Sequence, residues 1–246
     1  RSAISAIPTE LPPGAKPETV LETQQFLEWL DSDHFLFLGY RDYHLSKDGT
    51  TLESDASAAR GLLRESDLIV MRGLRRFDEL PEQVQAFLKT PEILFVNKAQ
   101  ARSSVHRAVP YDIVGIKRFD ASGRFSGMRL FVGLHTSMAY SRNAQDIPWL
   151  RLKAAEVIER SGRDPHGHSG KALIHILNTY PRDDLFQISS EELYNISNGI
   201  LMLAERLRTA LFVWRDPFNR FVSCLVYTPR EHFDTTLRRR FISILE

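Results

Sequence analysis

The residue types best suited to chemistry lie together in the stretch NKAQARSSVHRAVPYDIVGIKRF. Arg102 and Arg107 carry guanidinium groups, which present fork-shaped donors that match a carboxylate or a phosphate. Ser103 and His106 add hydrogen-bonding groups between them, and Lys117 follows on the next predicted strand. The stretch therefore predicts an anion contact, made either to an effector or to a neighbouring subunit. The residues leave one alternative open, which is a solvated sheet edge whose positive charges prevent edge-to-edge pairing.

No pattern for catalysis, for a cofactor or for a metal stands out. The dinucleotide fingerprint G-x-G-x-x-G is absent, and GHSGKA at residues 167–172 lacks both the glycine spacing and the Ser or Thr of a phosphate loop. A serine nucleophile needs a base and an orienting acid held in space, which the neighbouring serines and histidine of the basic stretch do not supply. His166, His168 and His175 have no carboxylate at helical ligand spacing, so a polar turn is favoured over a metal site. We therefore expect no catalytic residue, no cofactor-binding residue and no metal ligand.

Composition and charge argue against further classes of protein. The 246 residues are 43% hydrophobic and 26% charged, which is ordinary for a globular protein. A formal net charge of +1 argues against a nucleic-acid partner, and no apolar run approaches the ~20 residues that cross a membrane. The single cysteine, Cys224, cannot form an internal disulfide, so a cytoplasmic location is expected. The chain begins without Met and stops inside a helical pattern, which we interpret as a piece of a longer polypeptide.

Hydrophobic periodicity predicts an α+β protein in four regions. They are a linker and lead helix at 1–33, a mixed sheet module at 34–145, a helical connector at 146–209 and the start of a second α+β module at 210–246. This division follows the change of period from two to 3.6 and back to two along the chain.

Local signals sharpen several of these elements. A proline is placed to open the lead helix, and Asp120–Gly123 forms a turn signal between two strands. Ser189 and Glu192 match a capping box ahead of the most regular helical stripe in the chain. The segment AARGLLR is predicted as a short helix, and Asp234 or Thr235 is predicted to cap the last helix.

Several phrases taken together resemble one family. They are HFLFLGYRDY, VNKAQARSSVHR, YDIVGIKRFD, LFVGLHTSMAYSRNAQDIPWLRLK, GKALIHILNTYPRDDLFQIS and LFVWRDPFNRFVSCLVYTPRE, in one order over nearly the whole chain. They are similar to the segment that precedes the catalytic domain in the large bacterial NAD-dependent glutamate dehydrogenases. A match of this length is far more specific than any short motif.

The resemblance implies both a fold and a whole-enzyme activity. The fold is a PAS-like antiparallel-sheet module at 34–145, a helical connector, and the start of an ACT-like (ferredoxin-like) module at Ala210. The activity is that of a cytoplasmic enzyme whose full chain converts L-glutamate, NAD and water into 2-oxoglutarate, ammonia and NADH. The catalytic residues and the NAD site are then expected outside this segment.

The resemblance also implies a role for the segment. Its expected partners are its own copies in a homo-oligomer and the downstream catalytic domain. We predict that it senses a small effector such as an amino acid, with Arg102 and Arg107 as carboxylate contacts. The alternative is a purely architectural segment, which ties subunits together and binds no small molecule.

Overall fold

An antiparallel sheet lies at the centre of the computed structural model, which describes residues 7–54, 57–64, 76–103, 108–203, 208–218 and 221–245. Its strands are β1 (Phe35–Leu45), β2 (Leu52–Ser54), β3 (Arg60–Gly61), β4 (Leu94–Arg102), β5 (Pro110–Phe119) and β6 (Phe125–His135). They lie in the order β2-β1-β6-β5-β4, and β3 pairs with β1. Strands β7 (Ala210–Arg215) and β8 (Val222–Tyr227) form a separate hairpin. β4 is therefore an edge strand of the main sheet.

Helices precede, interrupt and follow the sheet. In the described ranges they are α1 (Pro17–Trp29), α2 (Glu82–Lys89), α3 (Ser137–Ser141), α4 (Leu150–Arg160), α5 (His168–Thr179), α6 (Arg182–Gln187), α7 (Ser190–Leu203) and α8 (Thr235–Leu245). None of these helices is long and apolar enough to cross a membrane. The prediction of mixed helix and antiparallel sheet is confirmed.

The two faces of the sheet belong to two hydrophobic cores, because side chains on a strand alternate between faces. The first core joins the strand residues Leu94, Val96, Val114 and Ile116 to α1, α4, α5 and α7 through Phe26, Leu150, Leu173 and Leu193. The second core joins Phe95, Ile113, Leu130 and Val132 to α2 through Val84 and Leu88. Helices α4, α5 and α7 therefore share a core with one face of the sheet, and α2 shares a core with the other.

Most of the local signals are confirmed. α1 begins at its predicted proline. Gly123 adopts a φ of +78° in the turn between β5 and β6, a conformation that favours glycine. Ser189 Oγ accepts the backbone N–H of Glu192 at 3.2 Å, and Asp234 Oδ1 accepts a backbone N–H of α8 at 2.6 Å. These contacts satisfy N–H groups that a helix leaves unpaired at its start.

The short helix predicted at AARGLLR is wrong. Arg60–Gly61 form β3, and the Leu62 N–H donates to the Leu38 carbonyl at 2.8 Å. Gly61 has a φ of +56°, and a Cβ there would lie 2.0 Å from the Leu38 carbonyl oxygen. Close pairing with β1 therefore outweighs a weak local preference for helix.

Candidate functional site

The first half of the predicted anion contact lies at the end of β4. Arg102 is exposed, and its Nη1 donates to the Ala108 carbonyl at 3.3 Å. Ser103 is buried, and its backbone N–H donates to the Val109 carbonyl at 2.8 Å. His106 and Arg107 lie outside the described residues. Arg102 is thus the predicted contact that the structure places at an accessible position.

Lys117 takes up a different task. Its side chain is buried, and Nζ donates to the Phe87 carbonyl at 2.6 Å and to Thr90 Oγ1 at 2.8 Å. Nζ also lies 4.3 Å from the centroid of the Phe87 ring. Burial lowers the pKa of Lys117 to about 8. The ammonium therefore satisfies the carboxyl end of α2, where helix carbonyls need donors.

Arg102 and Lys117 do not share one binding site. The Lys117 N–H donates to the Ile93 carbonyl at 2.7 Å, whereas Arg102 pairs with Pro110 at the opposite end of β4. At 3.3 Å per residue, roughly 25 Å of strand separates the two positions. One small anion cannot contact both side chains, and any anion contact at Arg102 is formed without Lys117.

A cavity of about 350 Å³ lies along the outer edge of β4. We call it the β4-edge cavity. It is lined by residues 94–97 of β4, by Phe87 of α2 with Glu92, by Trp149, Leu152, Lys153 and Glu156 around α4, by residues 186–190 and Glu192 of α6 and α7, by Thr19 of α1, and by Pro217 and Phe218. Elements from both cores and from the β7–β8 hairpin therefore line the same cavity.

The edge of β4 turns backbone polar groups toward this cavity. Because Lys117 N–H bonds to the Ile93 carbonyl, Ile93 and Phe95 direct their backbone groups toward β5. Leu94 and Val96 then direct theirs away from the sheet, on the side that lines the cavity. An edge strand with open N–H and C=O groups is a natural place to bind polar atoms.

Lys153 connects two of the elements that line the cavity. Its Nζ donates to the Leu185 carbonyl at 2.9 Å and to the Ile188 carbonyl at 2.6 Å. The same atom lies 5.0 Å from the centroid of the Trp149 ring. Burial lowers the pKa of Lys153 to about 7, despite the nearby Glu156. Lys153 therefore joins α4 to the junction of α6 and α7.

The β7–β8 hairpin closes one side of the cavity. Phe218 lies in the turn of this hairpin. Its ring centroid is 5.1 Å from that of Phe87 and 5.7 Å from that of Phe95. Trp214 Nε1 donates to Asp184 Oδ2 at 3.2 Å, which attaches the hairpin to α6. The position of the hairpin is therefore coupled to the packing around the cavity.

A buried ionic cluster joins the sheet to α6. Asp112 accepts hydrogen bonds from Lys98 Nζ at 2.5 Å and from the backbone N–H of His135 at 2.7 Å. Lys98 Nζ also lies 3.0 Å from Asp183, which accepts the hydroxyl of Tyr140 at 2.7 Å. Burial alone would raise the pKa of Asp112, but His135 and Lys98 outweigh it and lower the pKa to about 2. Asp112 is therefore ionised and paired, which makes the cluster structural.

A second ionic cluster fixes the lead segment on the sheet. Glu10 accepts hydrogen bonds from Arg118 Nε at 3.0 Å and from Arg129 Nη1 at 2.5 Å. Arg118 Nη1 also bonds to Asp42 Oδ1 at 3.0 Å. Burial opposes ionisation of Glu10, but Arg129 and Arg118 outweigh it and lower the pKa of that carboxyl. These arginines already hold a carboxylate of the chain itself.

A second depression, of about 750 Å³, lies between the β1–β2 and β5–β6 turns. Its carboxylates are occupied by the turns themselves. Asp48 accepts hydrogen bonds from Ser46 and Thr50, and Asp120 accepts them from Ser122 and Arg124. The β4-edge cavity is the better candidate site, because aromatic rings and a small number of polar side chains line it together.

Two family models of glutamate dehydrogenases match the chain. The model described as glutamate dehydrogenase, helical motif 1, matches residues 147–206, which contain α4 to α7. The model described as glutamate dehydrogenase, ACT2 domain, matches residues 210–246, which contain β7, β8 and α8. The fold and these matches define a class: a segment in which a helical motif leads into an ACT-type module.

Individual relatives agree with this class. The NAD-specific glutamate dehydrogenase of Halomonas elongata is 36% identical over 100% of this chain, and that of Pseudomonas aeruginosa is 37% identical over 93%. The enzyme of the same name from Mycobacterium tuberculosis is 28% identical over 90% of this chain. The chain therefore belongs, as a segment, to the NAD-specific glutamate dehydrogenase family. It spans 15%, 14% and 12% of the lengths of these relatives.

Sequence reasoning missed the residues that build the cavity. Lys153 stands between Leu150 and Val157 on the buried face of α4, and a charged residue at that position was the available signal. Gln187 ends α6, a helix that no local pattern predicted. Glu156 lies one turn before Arg160 and resembles any solvated helix residue. Only the tertiary structure brings these side chains to the edge of β4.

Proposed function

We propose that this chain is a non-catalytic regulatory and assembly segment of an NAD-dependent glutamate dehydrogenase. The whole enzyme would convert L-glutamate, NAD and water into 2-oxoglutarate, ammonia and NADH. The segment would bind a small effector such as an amino acid and bias the downstream catalytic domain. The catalytic and NAD-binding residues would then lie outside this chain.

One observation carries this proposal. The chain matches a helical motif and an ACT2 module of glutamate dehydrogenases, while its sequence has no dinucleotide fingerprint. The β4-edge cavity adds support, because it lies where the sheet, the helical motif and the β7–β8 hairpin meet. An effector regulates a distant site only when it binds one arrangement of the protein more tightly than another. A cavity shared by three elements suits that requirement.

The remaining features of the proposal follow the resemblance. The sheet module would be PAS-like, and the protein would be a cytoplasmic homo-oligomer. The anion contact predicted from Arg102, Ser103, His106, Arg107 and Lys117 remains a proposal. The exposed position of Arg102 supports this contact. Lys117 does not support it, because its Nζ donates to a backbone carbonyl of α2.

A second candidate function is purely architectural. Large apolar side chains are exposed on the hairpin, on α8 and on the segment between them, among them Leu211, Val213, Val222, Phe233 and Ile244. Exposed apolar groups of this kind favour contact with another protein surface. On this alternative, the segment would tie subunits together without a ligand.

Thermal unfolding with a ligand panel separates the two candidates. The panel contains amino acids, 2-oxoglutarate and nucleotides. A ligand at about 100 times its dissociation constant stabilises a single site by about 2.7 kcal/mol, which a melting curve resolves. A selective shift from one amino acid supports effector sensing, and Arg102→Ala then tests the predicted contact. A melting temperature that no compound changes favours the architectural function.

A further inference from the structure

Two side chains with acceptor oxygens, Gln187 and Glu156, line the β4-edge cavity. Gln187 Oε1 is buried and has no hydrogen-bond partner among the described residues. The Glu156 carboxylate accepts no hydrogen bond from the described part of the chain, although its charge acts on Lys153. Gln187 Oε1 has almost no accessible surface, whereas Glu156 is exposed, so the acceptor that a ligand can reach is the Glu156 carboxylate. Its charge favours a ligand that carries a positive charge.

Three side-chain donors of the cavity already have partners. Lys153 Nζ binds two backbone carbonyls at 2.9 and 2.6 Å. Gln187 Nε2 donates to the Asp183 carbonyl at 2.8 Å, and Ser189 Oγ donates to Glu192 at 2.9 Å. A ligand that needs donors, such as an isolated carboxylate, therefore finds few of them in the lining side chains.

The charged groups and the aromatic rings of the cavity also favour a positively charged ligand. Its lining holds the carboxylates of Glu92, Glu156 and Glu192 and the ammonium of Lys153, whose charge burial opposes. The Lys117 ammonium lies 3.6 Å from Glu92, so Glu156 and Glu192 supply the remaining negative charge. The lining also includes five aromatic side chains, Phe87, Phe95, Trp149, Phe186 and Phe218. Aromatic faces attract cations, and desolvation strengthens that attraction. Negative potential and aromatic faces together favour a positively charged ligand.

We propose that the β4-edge cavity binds a small organic cation, namely a primary ammonium group on a short apolar chain. The ammonium pairs with the Glu156 carboxylate, and the chain packs among the rings. Both a free amine and the amino group of an amino acid supply this chemistry. This inference rests on the proposed effector function and names its site and ligand class.

The cavity also offers a route from ligand to fold. Phe218 of the β7–β8 turn is part of the cavity wall and packs on Phe87 and Phe95. A bound cation adds contacts to Phe218 that exist only while the turn packs against Phe87 and Phe95. Ligand binding therefore stabilises one position of the hairpin relative to the sheet, which is the differential affinity that regulation requires.

Three probes of matched length test the ligand class. They are pentylamine with an ammonium only, hexanoate with a carboxylate only, and L-norleucine with both groups. Their binding to the protein is measured by calorimetric titration and by thermal unfolding at constant ionic strength. We expect pentylamine or L-norleucine to bind, and the stronger of the two identifies a free amine or an amino acid as the source. Binding of hexanoate alone would overturn the proposal.

A pair of variants on α4 tests the site. Glu156→Gln removes the carboxylate from the cavity lining, and Glu159→Gln removes an exposed carboxylate that is not part of the lining. We expect Glu156→Gln to weaken binding of the ammonium probe about tenfold, which is the size of one charge-assisted hydrogen bond. Glu159→Gln should bind as the wild type does.

The outcomes distinguish this inference from the function on which it rests. If an amino acid stabilises the wild type and Glu156→Gln equally, effector sensing stands and the β4-edge cavity is not its site. If neither the probes nor the larger panel changes the melting curve, both proposals fail. Loss of binding in both variants would indicate a general charge effect and would also overturn the assignment of the site.

Discussion

At the scale of single residues, two lysine side chains are turned inward and donate hydrogen bonds to backbone carbonyls. Lys117 binds the carboxyl end of α2, and Lys153 binds the carbonyls of Leu185 and Ile188. Each ammonium gains hydrogen bonds but loses solvation, and burial lowers the pKa of both groups, to about 8 and about 7. A basic residue in this chain is therefore no guide to an anion site until its surroundings are known.

The lowered pKa of Lys153 predicts a pH dependence of stability. Between about pH 7 and the ordinary value of 10.5 the unfolded chain binds a proton that the folded chain does not. The free energy of unfolding should therefore rise with pH in this window, by at most about 1.4 kcal/mol per pH unit for this group. Lys153→Met should flatten that rise, leaving the smaller contribution of Lys117.

Urea unfolding at several pH values from 7 to 9.5 checks this prediction. Lys171→Met is the matched control, because Lys171 is exposed on α5. The control should keep the slope of the wild type. Equal slopes in Lys153→Met and the wild type would show that the Lys153 ammonium is not disfavoured in the folded protein.

At the scale of elements, glycines decide how closely the pieces approach. Gly170 lies within α5, where a Cβ would be 2.0 Å from the Asp164 carbonyl oxygen. Gly115 of β5 lies under the Phe95 ring, which a Cβ would approach to 2.1 Å. At both positions glycine is a poor helix or strand former, but a larger residue would not fit. Helix and strand preferences alone would therefore favour the wrong residue there.

Gly170→Ala tests this close approach. In an unhindered helix the change would stabilise by about 1 kcal/mol, because alanine is the better helix former. Here the clash is with backbone atoms, so we expect a loss of about 1–3 kcal/mol instead. Chemical denaturation measures the difference. Ser169→Ala, at the exposed neighbouring position, should be nearly neutral, and a stabilised Gly170→Ala variant would refute the contact.

At the scale of the whole molecule, a few polar contacts join distant parts of the chain. Glu10 fixes the lead segment to β5 and β6, and Lys98 joins the sheet to α6 through Asp112 and Asp183. Asp184 attaches the β7–β8 hairpin to α6. These contacts surround the two cores and fix the elements whose arrangement shapes the β4-edge cavity.

Removal of the Glu10 carboxylate should release the lead segment. Glu10→Ala leaves Arg118 and Arg129 with Asp42 as their remaining carboxylate in this cluster. We expect a loss of about 1.5–3 kcal/mol, the value of hydrogen bonds to charged groups, and faster proteolysis near residues 7–16. Limited proteolysis followed by mass spectrometry locates the cuts. Glu18→Ala on the exposed side of α1 serves as the control, and identical cleavage in both variants would contradict the role of Glu10.

Local signals determined the elements that the sequence encodes within a few neighbouring residues. The lead helix, the β5–β6 hairpin, the capping box at Ser189 and the cap at Asp234 each rest on a short, self-contained pattern, and each is confirmed. Family membership also followed from the sequence, because a long ordered match is specific without any knowledge of contacts.

The tertiary structure alone decided the site. Strand order makes β4 an edge, and packing between elements far apart in the chain brings Lys153, Gln187 and Phe218 to that edge. It also buries Lys117 and separates it from Arg102, although both lie in the same basic stretch. Charge and hydrogen-bonding capacity are properties of a residue, but burial and partners depend on contacts between elements far apart in sequence. For that reason the residue types indicated what chemistry was present, and only the fold showed which groups remain open to a ligand.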